Sequence, residues 1–398
     1  MISVEEALKR ITDRVPPVGQ ENVPLLKADG RTLGRDLPAL TAQPPFDASA
    51  MDGYAVIAAD VASLPAKLKV IGEAAAGLGF KGKIGRGEAV RIFTGAPLPA
   101  GADAIVIQEN TSRNGDRLTV NEGRPDAAHI RHRGMDFVQG ACLLKAGIRL
   151  TPRLVTLAAA MGHSSLPVRR KPTIALVATG DELVLPGDPR KPEQIFCSNP
   201  FGIAGIIQRE GGQAEFIGIV PDDRERLAEL CKTGRDADIL VTIGGASVGD
   251  HDIVAPALQS MGMELDFWRI AMRPGKPLMF GRLGKTRVIG LPGNPVSSLI
   301  CTKIFVVPLI KALLGHASTA LALRKGVITE ALPPNGPRQH YMRATCTYDG
   351  GDYTVTPVST QDSSLLSPLA VASALIVRPP HHPAVSRGGY VTLLPLDF

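Results

Sequence analysis

Residues 238–298 constrain the fold of this chain more than any other stretch, because their apolar runs end in glycine-rich or proline-rich turns. An apolar run of strand length at 239–243 is followed by Gly-Gly-Ala-Ser-Val-Gly at 244–249. A second run at 288–291 leads into Pro-Gly-Asn-Pro at 292–295, after which Pro295 opens a predicted helix. Glycine turns and helix starts present free backbone N–H groups, and Arg273 and Lys276 between them add positive charge. The stretch therefore predicts a pocket for a polyanionic ligand.

The segment from residue 171 to about 318 alternates strand and helix patterns around this stretch. It begins with a continuous apolar run at 173–178, typical of a buried parallel strand, and Thr-Gly-Asp-Glu follows at 179–182. Such alternation predicts a doubly wound α/β domain with a mostly parallel sheet. Ligands of these sheets lie beyond the carboxyl ends of the strands, so we expect the loops at Gly180, 244–249 and 290–294 to share one pocket.

The remainder of the chain predicts smaller domains around the α/β segment. Residues 3–14 predict an amphipathic helix with a capping box that begins at Ser3. Short β-like runs separated by glycine and proline turns predict a small β domain between residues 44 and 137. A hairpin signal at Gly350-Gly351 and a last strand at 390–394 predict another β domain from about residue 319.

Composition and cysteine usage limit the class of protein. The net charge of +6 over 398 residues is mild, so nucleic-acid binding is not required. The five cysteines are far apart and show no metal-ligand spacing, which favours reduced thiols in a cytoplasmic protein. The N-terminal segment does not have the pattern of a signal peptide, and no uncharged apolar run reaches membrane-spanning length.

Single residues in these motifs allow two interpretations each. Glu182 and Asp222 are either helix-start carboxylates or cation ligands, and Asp250 and Asp252 either cap a helix or hold a cation that screens phosphates. The cations at 273 and 276 are either solvated or bind an oxyanion on a rigid turn. Asp47 and Asp52 either make local turn hydrogen bonds or have a functional role. No Ser/His/Asp or Cys/His catalytic arrangement is visible.

Nine motifs, taken together and in order, make the chain resemble the molybdopterin molybdenumtransferase family, which is related to the C-terminal part of gephyrin. They are PPFDASAMDGYAV at 44–56, RIFTGAPLPAGADAIVIQEN at 91–110, IRHRGMD at 130–136, ATGDEL at 178–183, TIGGASVGDHD at 242–252, RPGKPLMFG at 273–281, GLPGNPVSS at 290–298, YMRA at 341–344 and QDSSLLSPLAVASALIV at 361–377.

The resemblance implies four domains and a homodimer. The expected domains are an elongated discontinuous domain at 1–43 and 138–170, an inserted β domain at 44–137, a molybdopterin-binding α/β domain at 171–318 and a C-terminal β barrel at 319–398. The α/β domain is expected to resemble molybdopterin adenylyltransferase. Each active site is expected between the α/β domain of one subunit and the inserted β domain of the other.

The resemblance also implies a reaction and a set of site residues. Adenylylated molybdopterin and molybdate would be converted to AMP and the molybdenum cofactor with Mg²⁺ present. Possible protein partners are molybdopterin adenylyltransferase and the apo-proteins of molybdoenzymes. Gly244, Gly245, Ser247, Gly249, Pro292, Gly293, Asn294 and Pro295 would hold the pterin phosphate; Arg273, Lys276, Ser297 and Arg343 would bind molybdate; Glu182, Asp222 and Asp252 would serve the metal; and Asp47, Thr94, Asp136, Glu182 and Asp252 would be catalytic.

Three residues differ from those usual at the same positions in the family. Ala48, Ile243 and Arg273 stand where asparagine, serine and lysine are usual in the family, which affects fine specificity more than the reaction.

Three other functions compete with the transferase: a molybdopterin adenylyltransferase, a gephyrin-like scaffold, and a molybdopterin-binding paralogue without insertase activity. Because residues 1–398 hold a single α/β segment together with both β domains, we expect the transferase.

Overall fold

The computed structural model describes residues 1–123, 129–245, 253–348 and 350–397. Within this part of the chain, strands assemble into three six-stranded sheets and several two-stranded ribbons.

The chain begins with helix α1 (Val4–Thr12), then strands β1 (Gln20–Pro24) and β2 (Leu37–Pro38). Ser3 Oγ accepts a hydrogen bond from the backbone N–H of Glu6 at 3.0 Å, which confirms Ser3 as the cap of α1. The reciprocal half of the capping box is replaced, because the Glu6 carboxylate accepts a hydrogen bond from Arg10 Nε at 2.7 Å. The apolar face of α1 is buried in the core of the α/β sheet.

A β-rich part follows. Its strands are β3 (Ala48–Ser49), β4 (Gly53–Val56), β5 (Ala66–Ala74), β6 (Glu88–Ile92), β7 (Ala104–Ile107), β8 (Thr111–Asn114), β9 (Arg117–Val120) and β10 (Ile130–Arg131). Six of them form a sheet in the order β7-β4-β6-β5-β9-β8, and β3 pairs with β10 in a separate antiparallel ribbon. Two clusters of buried apolar side chains belong to this part, as expected for a small β domain.

The chain then returns to its N-terminal segment through β11 (Cys142–Leu144), α2 (Pro152–Ala160) and β12 (Ser165–Arg169). Strand β12 pairs with β1 and β11 pairs with β2, both antiparallel. A separate core, which includes Leu33, Leu144 and Leu166, holds these segments together. Residues before and after the inserted β strands thus form one discontinuous body, while the domain boundaries stay a prediction.

The α/β part contains the longest run of alternating elements. In order they are β13 (Thr173–Thr179), β14 (Leu183–Val184), β15 (Ile195–Phe196), α3 (Asn199–Arg209), β16 (Gln213–Val220), α4 (Arg224–Thr233), β17 (Ile239–Ile243), α5 (Val254–Ser260), β18 (Glu264–Trp268), β19 (Met272–Arg273), β20 (Met279–Leu283), β21 (Thr286–Leu291), α6 (Pro295–Cys301) and α7 (Val307–Leu313). The sheet order is β16-β13-β17-β21-β20-β18, and the first four strands are parallel.

A continuous helix crosses the core of this part from α6 through a π-helical turn (Thr302–Val306) to α7. The segment Pro295–Leu313 is long and apolar enough to span a membrane, with mean hydropathy 1.8, but 83% of it is buried inside the protein. It also carries Lys303, whose ammonium pairs with Asp397 at 2.5 Å. These features are typical of a core helix.

The last part is a closed barrel of β22 (Arg324–Ile328), β23 (Gln339–Tyr348), β24 (Tyr353–Pro357), β25 (Ala374–Arg378) and β26 (Tyr390–Pro395), with a short helix α8 (Ser367–Ala370). The strands pair in the order β23-β24-β22-β26-β25, and β25 returns to β23. Strand β19 of the α/β part adds to β23, with Arg273 opposite His340. The predicted fold class, α/β with inserted and C-terminal β parts, is confirmed.

Candidate functional site

A cavity opens at the carboxyl edge of the parallel strands. Its volume is about 560 Å³, and it is lined by residues that follow β13, β17 and β21. The chain passes from β13 to β16 on one side of the sheet and then crosses to β17 on the other. The ends of β13 and β17 therefore form the topological switch point, which is where open α/β sheets bind ligands. The prediction that Gly180, Gly244 and Gly293 meet at one pocket is confirmed.

Glycines at the end of β17 let two strand ends approach each other. Gly244 has φ +93°, and a Cβ atom there would lie 2.7 Å from the carbonyl oxygen of Thr179. Gly245 has φ +61°, and its Cβ would lie 2.7 Å from Thr179 Oγ1. A larger residue at either position would strain the backbone and separate the strands. The Thr179 hydroxyl is buried and makes no hydrogen bond among the described residues.

The turn after β21 forms the opposite side of this cavity. Asn294 Nδ2 donates to Ser363 Oγ at 3.0 Å, and Asn199 Nδ2 donates to the carbonyl oxygen of Gly293 at 2.7 Å. The backbone N–H of Val296, in the first turn of α6, donates to the Ser363 carbonyl at 3.2 Å. Pro292, Gly293, Asn294 and Pro295 thus line the cavity as predicted, and residues from α3 and the barrel hold their turn in place.

Two carboxylates also line the cavity. Glu182 and Asp222 are both exposed, and Glu182 lies so close to Gly180 that a Cβ on Gly180 would collide with its carboxylate. Helix α4 is capped by Asp223, whose carboxylate accepts hydrogen bonds from two backbone N–H groups at 2.9 Å. Asp181 accepts a hydrogen bond from the backbone N–H of Asp222 at 3.2 Å. Asp223 rather than Asp222 is therefore the helix cap.

A buried thiol lies beside these carboxylates. Cys197 lines the cavity just before α3, where Ser198 occupies the N-cap position. The Ser198 hydroxyl makes no capping hydrogen bond to the helix. Burial, with a smaller contribution from the negative charge of Glu182, raises the pKa of the Cys197 thiol to about 11. The thiol is therefore neutral at physiological pH.

A second cavity of about 400 Å³ adjoins the first and shares Pro277, Pro292 and Asn294 with it. Arg273, Lys276 and Ser297, three of the predicted oxyanion ligands, line this smaller cavity. Its remaining polar lining was not predicted and comes from the C-terminal part: Arg338, Gln361, Asp362 and Ser363.

The pairing of β19 with β23 explains why the smaller cavity is cationic. It brings Arg273 to the same edge as His340, two residues after Arg338. Burial, followed by the charges of Arg273, Arg378 and Arg338, lowers the pKa of His340 to about 4. His340 is thus neutral at pH 7 and adds no charge, so guanidinium and ammonium groups provide the positive charge of this cavity.

Arg343 occupies a different place from the one expected of a molybdate ligand. Its side chain is 1% exposed and does not line the smaller cavity. Its guanidinium donates hydrogen bonds to the carbonyl oxygens of Thr360, Asp362 and Leu365, each at 2.9 Å. Arg343 therefore lies behind the segment 360–365 and holds it against both cavities. The resemblance to the family indicated an arginine at this position, but it could not indicate the direction of the side chain.

The three predicted residues of the inserted part lie in segments that pack together. Strand β3 pairs with β10, and the backbone N–H of Gly95 donates to the Ser49 carbonyl at 2.8 Å. Asp47 accepts a hydrogen bond from the backbone N–H of Arg133 at 2.7 Å. Asp136 is exposed in the loop that follows β10. Among the described residues, neither cavity is lined by this part of the chain.

Thr94 is held by Asp52, which is distant from it in the sequence. Asp52 Oδ1 accepts hydrogen bonds from both the backbone N–H and the hydroxyl of Thr94, each at 2.8 Å. These hydrogen bonds, the backbone one first, lower the pKa of Asp52. Asp52 thus orients Thr94 across 42 positions of the chain, a contact that the local turn interpretation of Asp52 did not predict.

Ser247, Gly249 and Asp252 lie outside the described residues, so their predicted roles stay predictions. In the described ranges, no group of three or more His, Cys, Asp or Glu side chains is arranged to hold a metal ion. Glu182 and Asp222 are therefore the carboxylates on the described part of the larger cavity that can contribute to a cation site.

Comparisons with known proteins cover nearly the whole chain. Residues 2–162 match the MoeA N-terminal region (domain I and II), residues 175–312 a probable molybdopterin binding domain, and residues 325–396 the MoeA C-terminal region (domain IV). Molybdopterin molybdenumtransferase 2 of Mycobacterium tuberculosis is 34% identical over 98% of both chains. Molybdopterin molybdenumtransferase of Bacillus subtilis is 32% identical over 95% of this chain and 90% of its own.

Solved structures agree with these relatives. A molybdopterin biosynthesis MoeA protein from Pyrococcus horikoshii superposes with a TM-score of 0.84 at 27% identity, covering 99% of each chain. Another structure of such a protein gives a TM-score of 0.87 at 31% identity, covering 100% of each chain. Since relatives more than 30% identical match nearly full length, the predicted resemblance is confirmed. The chain therefore belongs to the molybdopterin molybdenumtransferases, a family of transferases in molybdenum cofactor biosynthesis.

Proposed function

We propose that this chain inserts molybdenum from molybdate into adenylylated molybdopterin and releases AMP with the molybdenum cofactor. One observation carries the proposal: a glycine-lined cavity with carboxylates adjoins a cationic cavity through Pro277, Pro292 and Asn294. The two cavities suit two different anions that must meet, a phosphoanhydride and a metal oxyanion.

The larger cavity would hold the phosphates of the adenylylated substrate. The turns at Gly244-Gly245 and Gly293-Asn294 bring backbone close to the cavity without side-chain bulk. Backbone N–H groups in such turns attract anions, and their fixed positions need no reorganisation during the reaction. Ser247 and Gly249 stay predicted ligands of the same phosphates.

The smaller cavity would bind molybdate. Arg273, Lys276 and Arg338 provide its positive charge, and Ser297 provides a hydroxyl. A guanidinium can donate two parallel hydrogen bonds to an oxyanion, whereas an ammonium acts as a point charge. Arg343 would act indirectly here, since it holds the segment that carries Asp362 and Ser363.

Magnesium would bind at the carboxylates of the larger cavity. Glu182 and Asp222 provide two oxygen ligands, with Asp252 as a third candidate, and Mg²⁺ commonly uses one or two carboxylates together with substrate phosphates. The donor set therefore fits this ion. Magnesium would supply positive charge that offsets the anhydride phosphates. Chelation with EDTA should abolish turnover, and added Mg²⁺ should restore it.

A second subunit would complete the site. Asp47, Thr94 and Asp136 are exposed and do not belong to the linings of either cavity. We expect the inserted part of one subunit to face the cavities of the other in a two-fold dimer. The homodimer is thus part of the proposal, and light scattering of the purified protein should give a dimer mass.

Subunit mixing tests this arrangement. Asp47→Ala and Glu182→Ala should each be inactive alone, since each dimer then lacks one residue at both sites. Mixed subunits should recover about a quarter of wild-type activity, because half of the dimers are mixed and each mixed dimer has one intact site. No recovery in mixtures that demonstrably exchange subunits would place Asp47 and Glu182 in the same subunit's site.

The main test supplies the purified protein with Mg²⁺, molybdate and adenylylated molybdopterin under anaerobic conditions. We expect molybdate-dependent release of AMP, measured by chromatography, and cofactor that reconstitutes an apo-molybdoenzyme. Tight binding of molybdopterin without this release would favour a binding paralogue or a gephyrin-like scaffold.

The chemistry of the substrate also implies partners. A molybdopterin adenylyltransferase would supply the adenylylated substrate, and cytoplasmic apo-molybdoenzymes would receive the product. The supply step can be measured in an assay that couples an active adenylyltransferase to this protein. If the substrate is transferred directly between the two, added inactive adenylyltransferase should compete for this protein and slow the coupled turnover. Free diffusion of the substrate would leave that rate unchanged.

A further inference from the structure

One wall of the larger cavity is apolar, although its other walls are built from glycine turns and carboxylates. The wall comes from the parallel ribbon of β14 and β15, in which Leu183 lies opposite Ile195 and Val184 opposite Phe196. Ile195 is 55% exposed and Phe196 is 47% exposed, and both line the cavity. Apolar area of this kind favours a ligand that removes it from water, at about 25 cal/mol per Å² buried.

The ribbon holds this wall in a fixed relation to the carboxylate side. The backbone N–H of Ile195 donates to the carbonyl oxygen of Glu182 at 2.8 Å, and that of Cys197 donates to Val184 at 2.8 Å. Glu182 and the apolar wall therefore belong to one hydrogen-bonded unit. A ligand phosphate near Glu182 would place the rest of that ligand within reach of Phe196.

Arg190 supports the aromatic ring from outside the cavity lining. Its guanidinium carbon lies 5.9 Å from the centre of the Phe196 ring, and its Nη1 donates to the Gln194 carbonyl at 2.5 Å. A cation at this distance is attracted to the ring face and restricts the ring orientation. Arg190 itself does not line the cavity, so the ring of Phe196 can present its accessible area to a ligand.

We propose that Phe196, with Ile195 beside it, stacks against a planar heteroaromatic ring of the substrate and thereby selects ligands that join such a ring to a phosphate. The inference rests on the proposed function, because adenylylated molybdopterin carries two such rings, a pterin and an adenine. The wall is continuous with the phosphate-suited turns, which favours a ligand ring over a protein partner. Stacking of a base on an aromatic side chain is worth about 1–3 kcal/mol.

Phe196→Ala tests the proposal by calorimetric titration with three separate ligands: AMP, molybdopterin and inorganic pyrophosphate. Loss of the stack should weaken binding of a ring-bearing ligand by roughly 5- to 150-fold. Pyrophosphate has no ring, so its affinity should stay within twofold of wild type. The ligand whose affinity falls, AMP or molybdopterin, identifies the ring that contacts Phe196. Phe196→Trp retains an aromatic ring and should bind that ligand as the wild type does.

Phe201→Ala is a matched control, because Phe201 is also an aromatic residue with 55% exposure but lies outside the cavity lining and contacts Phe216 instead. It should leave all three affinities unchanged. Thermal unfolding of each variant excludes a general loss of structure.

Wild-type affinity of Phe196→Ala for both AMP and molybdopterin would overturn the proposal, as would failure of the wild type to bind either. A change of oligomeric state with unchanged ligand affinity would also overturn it and assign the wall to the subunit interface. These titrations need no turnover. Absence of AMP release from the wild type would therefore refute the proposed reaction and leave the stacking result standing.

Discussion

Replacing Arg343 distinguishes a buried positioning role from direct contact with molybdate. Its guanidinium donates to three carbonyl oxygens at 2.9 Å, all in the segment 360–365, and its side chain is buried. In Arg343→Lys the single ammonium retains at most one of these contacts. Two lost charge-assisted hydrogen bonds at about 1.5–3 kcal/mol each, less partial re-solvation of the carbonyls, give a local destabilisation of about 2–4 kcal/mol.

Hydrogen–deuterium exchange of the backbone amides in 360–366 measures this loss directly. A decrease of about 2–4 kcal/mol in local opening free energy should speed exchange roughly 30- to 1,000-fold, while the parallel strands of the α/β sheet stay protected. Local exchange is the appropriate measurement, because a multidomain chain does not have one well-defined unfolding free energy.

Arg338→Lys is the control for this experiment, since Arg338 lines the smaller cavity and keeps its charge in the variant. It should weaken molybdate binding without changing exchange in 360–366. If Arg343→Lys instead leaves exchange unchanged and weakens molybdate binding, the positioning role is refuted and Arg343 is a ligand.

Three further predictions concern single contacts. Asp238 accepts two hydrogen bonds of 2.7 Å from Arg170. Burial by itself would raise the pKa of the Asp238 carboxyl, but these hydrogen bonds and others lower the pKa below its ordinary value. The ionised carboxylate therefore stabilises the folded protein fully above about pH 4, and this stabilisation is lost as the pH falls through the lower pKa of the folded state. Asp238→Asn should lower the local opening free energy of β13 and β17 by about 1–2 kcal/mol at pH 7, allowing for the partly exposed arginine, and should flatten its dependence on acid pH. Hydrogen–deuterium exchange of these strands measures both effects, and an unchanged pH dependence contradicts the argument. Gly180→Ala should displace the Glu182 carboxylate and strain the backbone, whose φ is +149°, by about 1–3 kcal/mol. Turnover should fall at least about tenfold while circular dichroism stays native, and wild-type turnover would show that this carboxylate position is dispensable. Iodoacetamide at pH 8 should label Cys197 slowly, because with a pKa of about 11 only roughly a thousandth is thiolate. Peptide mass spectrometry measures the rate, and labelling as fast as that of free cysteine would contradict the burial argument.

The α/β part was the most predictable from sequence. The apolar run at 173–178 and the helix start at Pro295 both appear in the structure close to their predicted positions. Strong periodicity and capping chemistry are local, so they can be recognised without knowing the fold. The shared edge of Gly180, Gly244 and Gly293 was predictable for a related reason, because parallel strands place their carboxyl ends together.

Other site features depend on contacts between distant segments. Arg338 and the segment 361–363 reach the smaller cavity because β19 adds to the barrel strand β23, a pairing with no local signal. Phe196 resembles a core residue in sequence, and only the ribbon of β14 and β15 leaves it beside the cavity. For the same reason, the likeness in sequence could identify Arg343 but not its burial.

The sequence by itself determined the order of parts, the glycine turns and the class of ligand, since backbone freedom and charge are properties of single residues and short motifs. Tertiary structure decided which side chains line the cavities and which lie behind the lining. It turned Arg343 inward to the carbonyls of 360–365 and brought Arg338 to the cavity instead. That choice depends on packing between strands far apart in the chain, where burial and hydrogen-bond partners are set together.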